Sequence, residues 1–150
     1  MSRSFVFKLA SILQYRLQQE EQAQLAFSQA KTRYEHQGRL VRQLMAQQQT
    51  CDAQFMQQQS MTQAELWLWG NYKKRIEQDR AQAETLLGEY ARDVEKKRSH
   101  LIACARDRKL LEKLKTNQAR EHANKERALE QKEFDETATL RFDKAGPQTV

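Results

Sequence analysis

Glycine and proline are nearly missing from this chain of 150 residues, which holds four Gly and one Pro, at Gly38, Gly70, Gly88, Gly146 and Pro147. A sandwich, barrel or α/β domain of this length reverses direction about every dozen residues and draws on those two residue types to do so, which excludes β-rich and α/β folds. Cysteine is equally scarce. Cys51 and Cys104 form no Cys-x-x-Cys pair and no Cys/His cluster, which excludes a disulfide scaffold and a zinc site and fits a reducing, cytoplasmic setting. No apolar run approaches the roughly 20 residues needed to cross a bilayer, so membrane association is expected only through partners. The longest candidate, Phe5 to Leu13, is interrupted by Lys8 and followed by no small-residue cleavage site; it reads as an amphipathic helix start rather than a signal peptide.

Catalytic signatures are absent as well. There is no Gly-rich phosphate loop, no His-Glu-x-x-His and no Gly-x-Ser-x-Gly. His36, His100 and His122 are far apart, and the adjacent carboxylates Glu20-Glu21 and Asp135-Glu136 would point in different directions on a helix. The sequence therefore predicts no enzyme, no catalytic residues, no cofactor and no metal.

What remains is a helix-forming composition: 31% charged residues, 39% hydrophobic residues and a mean hydropathy of −0.95, rich in Gln, Ala, Leu, Glu, Lys and Arg. Apolar residues recur in steps of seven. One series runs Val6, Leu13, Glu20, Phe27, Tyr34, Val41, Gln48, Phe55, with a companion at Leu9, Arg16, Ala23, Ala30, Gln37, Leu44, Cys51, Gln58. A second begins after Gly70 with Ile76, Ala83, Tyr90, Lys97, Cys104, Leu111, interleaved with Arg80, Leu87, Val94, Leu101, Arg108. Alternating steps of three and four place each set along one seam of a helix.

Two seams in one chain, each too narrow to be stable alone in water, are best buried against each other. The expected fold is all-α, a long antiparallel two-helix coiled-coil hairpin forming a single domain over residues 1–150. Arm one covers about residues 5–60, the turn about 60–70, arm two about 70–142, and a frayed tail 143–150 follows Gly146-Pro147. With closure near residue 65, residue 5 faces about residue 125, Cys51 faces about residue 79, and no Cys51–Cys104 disulfide can form. The same register predicts that Leu129, Phe134, Leu140 and Phe142 gather near Phe5 and Phe7. A monomer is expected.

Lys and Arg total 26 against 20 Asp and Glu. Much of that excess lies between Lys96 and Lys115, where Lys96, Lys97, Arg98, Arg106, Arg108, Lys109, Lys113 and Lys115 meet only Asp107 and Glu112. No aromatic residue interleaves with these charges to stack on bases, so nucleic acid is not an expected partner. Trp67, Trp69 and Tyr72 sit at the expected turn, where a two-helix hairpin cannot cover all three rings; they read as a docking surface or as a cap closing the hairpin.

Three segments carry a resemblance to a known family: Phe5-x-Phe7-x-Leu9-x-x-Ile12-Leu13-x-Tyr15-Arg16, then Trp69-Gly70-Asn71-Tyr72, then Glu126-Arg127-x-x-Glu130-Gln131-Lys132-x-x-Asp135-Glu136. Together they make the sequence similar to the FliJ family of the bacterial flagellar type III export apparatus. The resemblance implies a non-catalytic coiled coil like that of the F1-ATPase γ subunit. It also implies three kinds of partner: the hexameric flagellar export ATPase, the cytoplasmic part of the export gate membrane protein, and export chaperones. The place implied is the cytoplasmic side of the inner membrane at the flagellar base.

Carried onto this sequence, the resemblance makes Leu44, Trp67, Trp69, Tyr72 and Ile76 candidates for binding the export gate. It makes Phe5, Phe7, Leu9, Gln131, Phe134, Asp135 and Glu136 candidates for binding the ATPase ring. The chain departs from the family in arm one, where Gln47 and Cys51 stand in a region that often carries tyrosines. The alternatives are the equivalent stalk of a virulence secretion system, a self-associating structural coiled coil, and a basic nucleic-acid-binding coiled coil.

Overall fold

The computed structural model describes residues 3–146. Two helices account for nearly all of them, α1 at Ala10–Gln57 and α2 at Gln63–Lys144, and there is no strand among the described residues. The chain groups into two compact units, one of Met1–Gln18 with Ala105–Val150 and the other of Gln19–Cys104.

In the unit Gln19–Cys104, contacts between the helices run in opposite directions. Phe27 meets Arg98, Gln37 meets Ala83, Gln48 meets Arg80, Asp52 meets Lys73 and Phe55 meets Trp69. The helices are therefore antiparallel, as the two heptad series require. The seam is lined by small and medium side chains: Ala23, Ala30, Val41 and Cys51 from α1, and Ile76, Ala83, Val94 and Cys104 from α2. Alanines spaced by seven let the backbones approach closely. No side chain among the described residues is completely enclosed, because a two-helix seam covers each residue from one side only. Gln37 is a buried polar member of this seam, and its Nε2 donates to the Ala83 carbonyl at 3.0 Å. An amide at a seam position is satisfied in one register and orphaned in others, so it selects this pairing. Both cysteines are free and buried.

The turn differs from the sequence expectation. α2 starts at Gln63, so residues 63–70 are helical and the connection is Gln58–Thr62. The cause is a capping box. The Thr62 hydroxyl accepts from the Glu65 backbone N–H, and the Glu65 carboxylate accepts from the Thr62 backbone N–H, both at 3.2 Å. Glu65 also places a negative charge in the first turn, while Arg141 and Lys144 lie in the last, each sign favoured by the helix dipole. Earlier closure moves the register, so that Cys51 lies beside the Asp52–Lys73 level rather than near residue 79.

The other unit shows the consequence at the chain ends. Arg16 Nη1 pairs with Asp107 Oδ2 at 3.2 Å, and the Phe5 ring lies 5.8 Å from that of His122. Residues 5–9 precede α1 and are not helical, contrary to the expected helix start. Their burial alternates instead. Phe7 is buried and Phe5 and Leu9 are half-buried, whereas Lys8 is exposed and Val6 is 76% exposed, and a turn closed by the Ala10 N–H on the Phe7 carbonyl at 3.2 Å leads into α1. Val6 therefore does not start the seam. On α2, Glu126 is the last half-buried residue, and every described residue after it is exposed. Asp143 and Lys144 remain helical where a frayed tail was expected, and residues 147–150 of that tail, Pro147 among them, lie outside the described residues.

Replacing both Thr62 and Glu65 by Ala removes the reciprocal cap without touching the seam. The expected cost is about 1 to 2 kcal/mol in urea denaturation, with a loss of helicity confined to the start of α2. An unchanged midpoint would show that the capping box does not set the turn.

Candidate partner-binding surfaces

The three aromatic residues near the turn separate. Trp69 stacks on Phe55 with centroids 3.9 Å apart and an interplanar angle of 21°, and Lys73 Nζ lies 5.1 Å from its ring centroid. This is a cap that closes the hairpin. Its indole Nε1 is buried without a hydrogen-bond partner, a cost the stack must offset. Trp67 and Tyr72 are 67% and 53% exposed: two residues before Trp69, Trp67 is carried to the opposite side of α2, whereas Tyr72, three residues after it, lies about 60° around the helix at the edge of the Trp69 side. Met56, Leu66 and Leu68 are exposed around them. Gly70 belongs to the same stretch, and a Cβ placed there would meet nothing within 4 Å. A helical glycine costs about 1 kcal/mol relative to Ala, and no internal packing calls for this one.

The remaining gate candidates lie elsewhere. Ile76 is buried in the seam, so its side chain is not available to a partner. Leu44 is half-buried in an open groove with Leu40, Leu86 and Ala83. From Tyr72 to Leu86 is about 21 Å along α2, so Leu44 and Tyr72 belong to two surfaces rather than one. Leu40 and Leu86 were missed from the sequence because they lie beside the heptad positions; their exposure is what marks them.

The ring candidates also divide. Phe7 is buried, and Phe5 and Leu9 are half-buried, all before α1. Gln131, Phe134, Asp135 and Glu136 are exposed on α2, where Gln131 Nε2 donates to Asp135 Oδ1 at 3.1 Å. The register expectation brought Phe134, Asp135 and Glu136 close to Phe5 and Phe7, and the structure corrects it. Phe5 meets His122, and Phe134 stands twelve residues, about 18 Å, further along the helix. Phe134 is 71% exposed, and Leu129, Leu140 and Phe142 are exposed with it rather than gathered on the N-terminal phenylalanines.

No group of His, Cys, Asp and Glu among the described residues could hold a metal ion, and no described helix is long and apolar enough to cross a membrane. The two surfaces rest on two helices with a Phe-x-Phe-x-Leu lead-in, a Trp-Gly-Asn-Tyr segment after the turn and a charged signature on the far part of α2. Residues 5–146 match the family model described as Flagellar FliJ protein. The chain belongs to the FliJ family. Neither the curated proteins nor the solved structures give a match. FliJ membership makes the chain a non-catalytic component of flagellar protein export, in the chaperone and stalk class, and implies partners within the export apparatus.

Structural and docking roles for the aromatic residues predict opposite stability effects. Trp69→Ala breaks the stack on Phe55 and should cost about 2 kcal/mol, whereas Trp67→Ala should stay within about 0.5 kcal/mol of the parent, both measured by urea denaturation. Equal effects would remove the distinction between cap and surface.

Proposed function

We propose that this FliJ-family chain acts, as a monomer and a single domain, as the central stalk of the hexameric export ATPase. In this reading it promotes assembly and activity of the ring, couples it to the cytoplasmic part of the export gate, and assists export chaperones. It works in the cytoplasm, peripheral to the inner membrane at the flagellar base. The observation that carries this reading is the unpaired end of α2, helical to Lys144 yet exposed on all sides after Glu126. A lone helix carrying Leu129, Phe134, Leu140 and Phe142 in the open has apolar side chains whose burial requires another protein.

Gln131, Phe134, Asp135 and Glu136 are the ring contacts in this proposal, and Phe5, Phe7 and Leu9 support the base of that end. Trp67 and Tyr72 contact the gate, with Leu44 as a second point; Trp69 and Ile76 hold the first surface in shape. The mechanism is asymmetry. A single stalk presents different side chains to chemically identical subunits, and contact energies that differ by about 1 to 3 kcal/mol bias which subunit closes on nucleotide.

Truncation after Glu126 tests the assignment, because every described residue it removes is exposed. The truncated chain should stay helical and monomeric and keep its gate affinity, yet fail to stimulate the ATPase. Full stimulation by a folded truncation would place the ring contact elsewhere.

A further inference from the structure

A second feature of α2 is not used by that reading. Arg106, Lys109, Lys113, Arg120 and Arg127 are all exposed, and spacings of three, four, seven and seven residues hold them within a sector about 60° wide on the helix surface. None of the five has an ion-pair partner among the described residues. The acids of the same stretch lie outside the sector, and three of them are engaged: Asp107 with Arg16, Glu112 with Arg108, and Glu126 with His122. Asn117 and Asn124, which share the cationic face, carry no charge. The face points away from the side where Asp107 and His122 meet the N-terminal segment. Five cations in one line over about 31 Å repel one another, and the line itself holds no acid to offset that.

We propose that this face binds an anionic phospholipid bilayer directly. A row of cations along one side of an uninterrupted helix meets a flat field of headgroup phosphates at every member, whatever the spacing. One leucine favours lipid over nucleic acid. Leu110, 67% exposed, borders the row beside Arg106 and Lys113, where a bilayer interface accepts apolar side chains and a phosphate backbone does not. The face also lacks the aromatic residues that stack on bases. The row ends one turn before Gln131, so lipid contact does not use the proposed ring residues. This goes beyond an association with the membrane through partners alone.

The test is sedimentation of the full chain with extruded vesicles of two parts phosphatidylcholine to one part phosphatidylglycerol, and with vesicles of phosphatidylcholine alone. Binding should require phosphatidylglycerol and weaken as salt is raised. The combined variant Lys109→Gln, Lys113→Gln, Arg120→Gln, Arg127→Gln should lose roughly fivefold in partitioning per cation, several hundredfold in all, with its helicity unchanged. Lys31→Gln, Arg33→Gln, Arg39→Gln, Arg42→Gln removes the same net charge from α1 and should change partitioning by less than about threefold. Equal losses in the two variants would reduce the effect to net charge and overturn the proposal. Equal binding to phosphatidylcholine alone would overturn it, as would tighter binding to random duplex DNA than to the mixed vesicles at the same salt.

Discussion

Everything in this molecule depends on a seam one side chain wide. A helix paired with one other helix can hide one face, and here that face is lined by Ala23, Ala30, Val41, Ile76, Ala83 and Val94, residues too small to anchor a register by shape alone. Small residues bring the backbones together but make neighbouring registers similar in energy. The selection falls to a few directional contacts. Gln37 on the Ala83 carbonyl, Arg80 on Gln48 and the stack of Trp69 on Phe55 are each lost if one helix slides by a residue.

Because the seam consumes a single face, all other faces remain open to partners, and the chain differentiates them by composition. Near the turn they carry aromatic rings, between Arg106 and Arg127 a line of cations, and beyond Glu126 isolated apolar side chains among charges of both signs. α2 has 82 residues against 48 in α1, and the capping box at Thr62 marks where the longer helix begins.

The helical class, the antiparallel pairing and most seam positions were legible in the sequence, because seven-residue spacing follows directly from helix geometry. Cys51, Ala83, Val94 and Cys104 are buried where the heptads placed them. The turn was placed late because Thr62-x-x-Glu65, a short polar signal, was outweighed by the more conspicuous tryptophans and Gly70. Phe5 to Leu9 fits a helical period in sequence, since Phe5, Val6 and Phe7 are all apolar, and only the exposure of Val6 shows that it is not helical. The earlier turn is what draws the N-terminal segment back from residue 125 and beyond. The division of labour between Trp67 and Trp69 was not legible at all, since two tryptophans two residues apart differ only in which way the helix has turned.

The position of the reversal also orders the events of folding. Phe55 and Trp69 are close in the chain, so their contact closes a short loop, whereas Phe5 and His122 must close one spanning most of the sequence. Pairing that starts at the capped turn can add each further contact at small entropic cost, like a zip fastener closed from its stop. The Phe5–His122 contact closes a far longer loop than Phe55–Trp69 and carries the larger entropic cost, so truncating residues 1–9 would spare the chain its most costly closure.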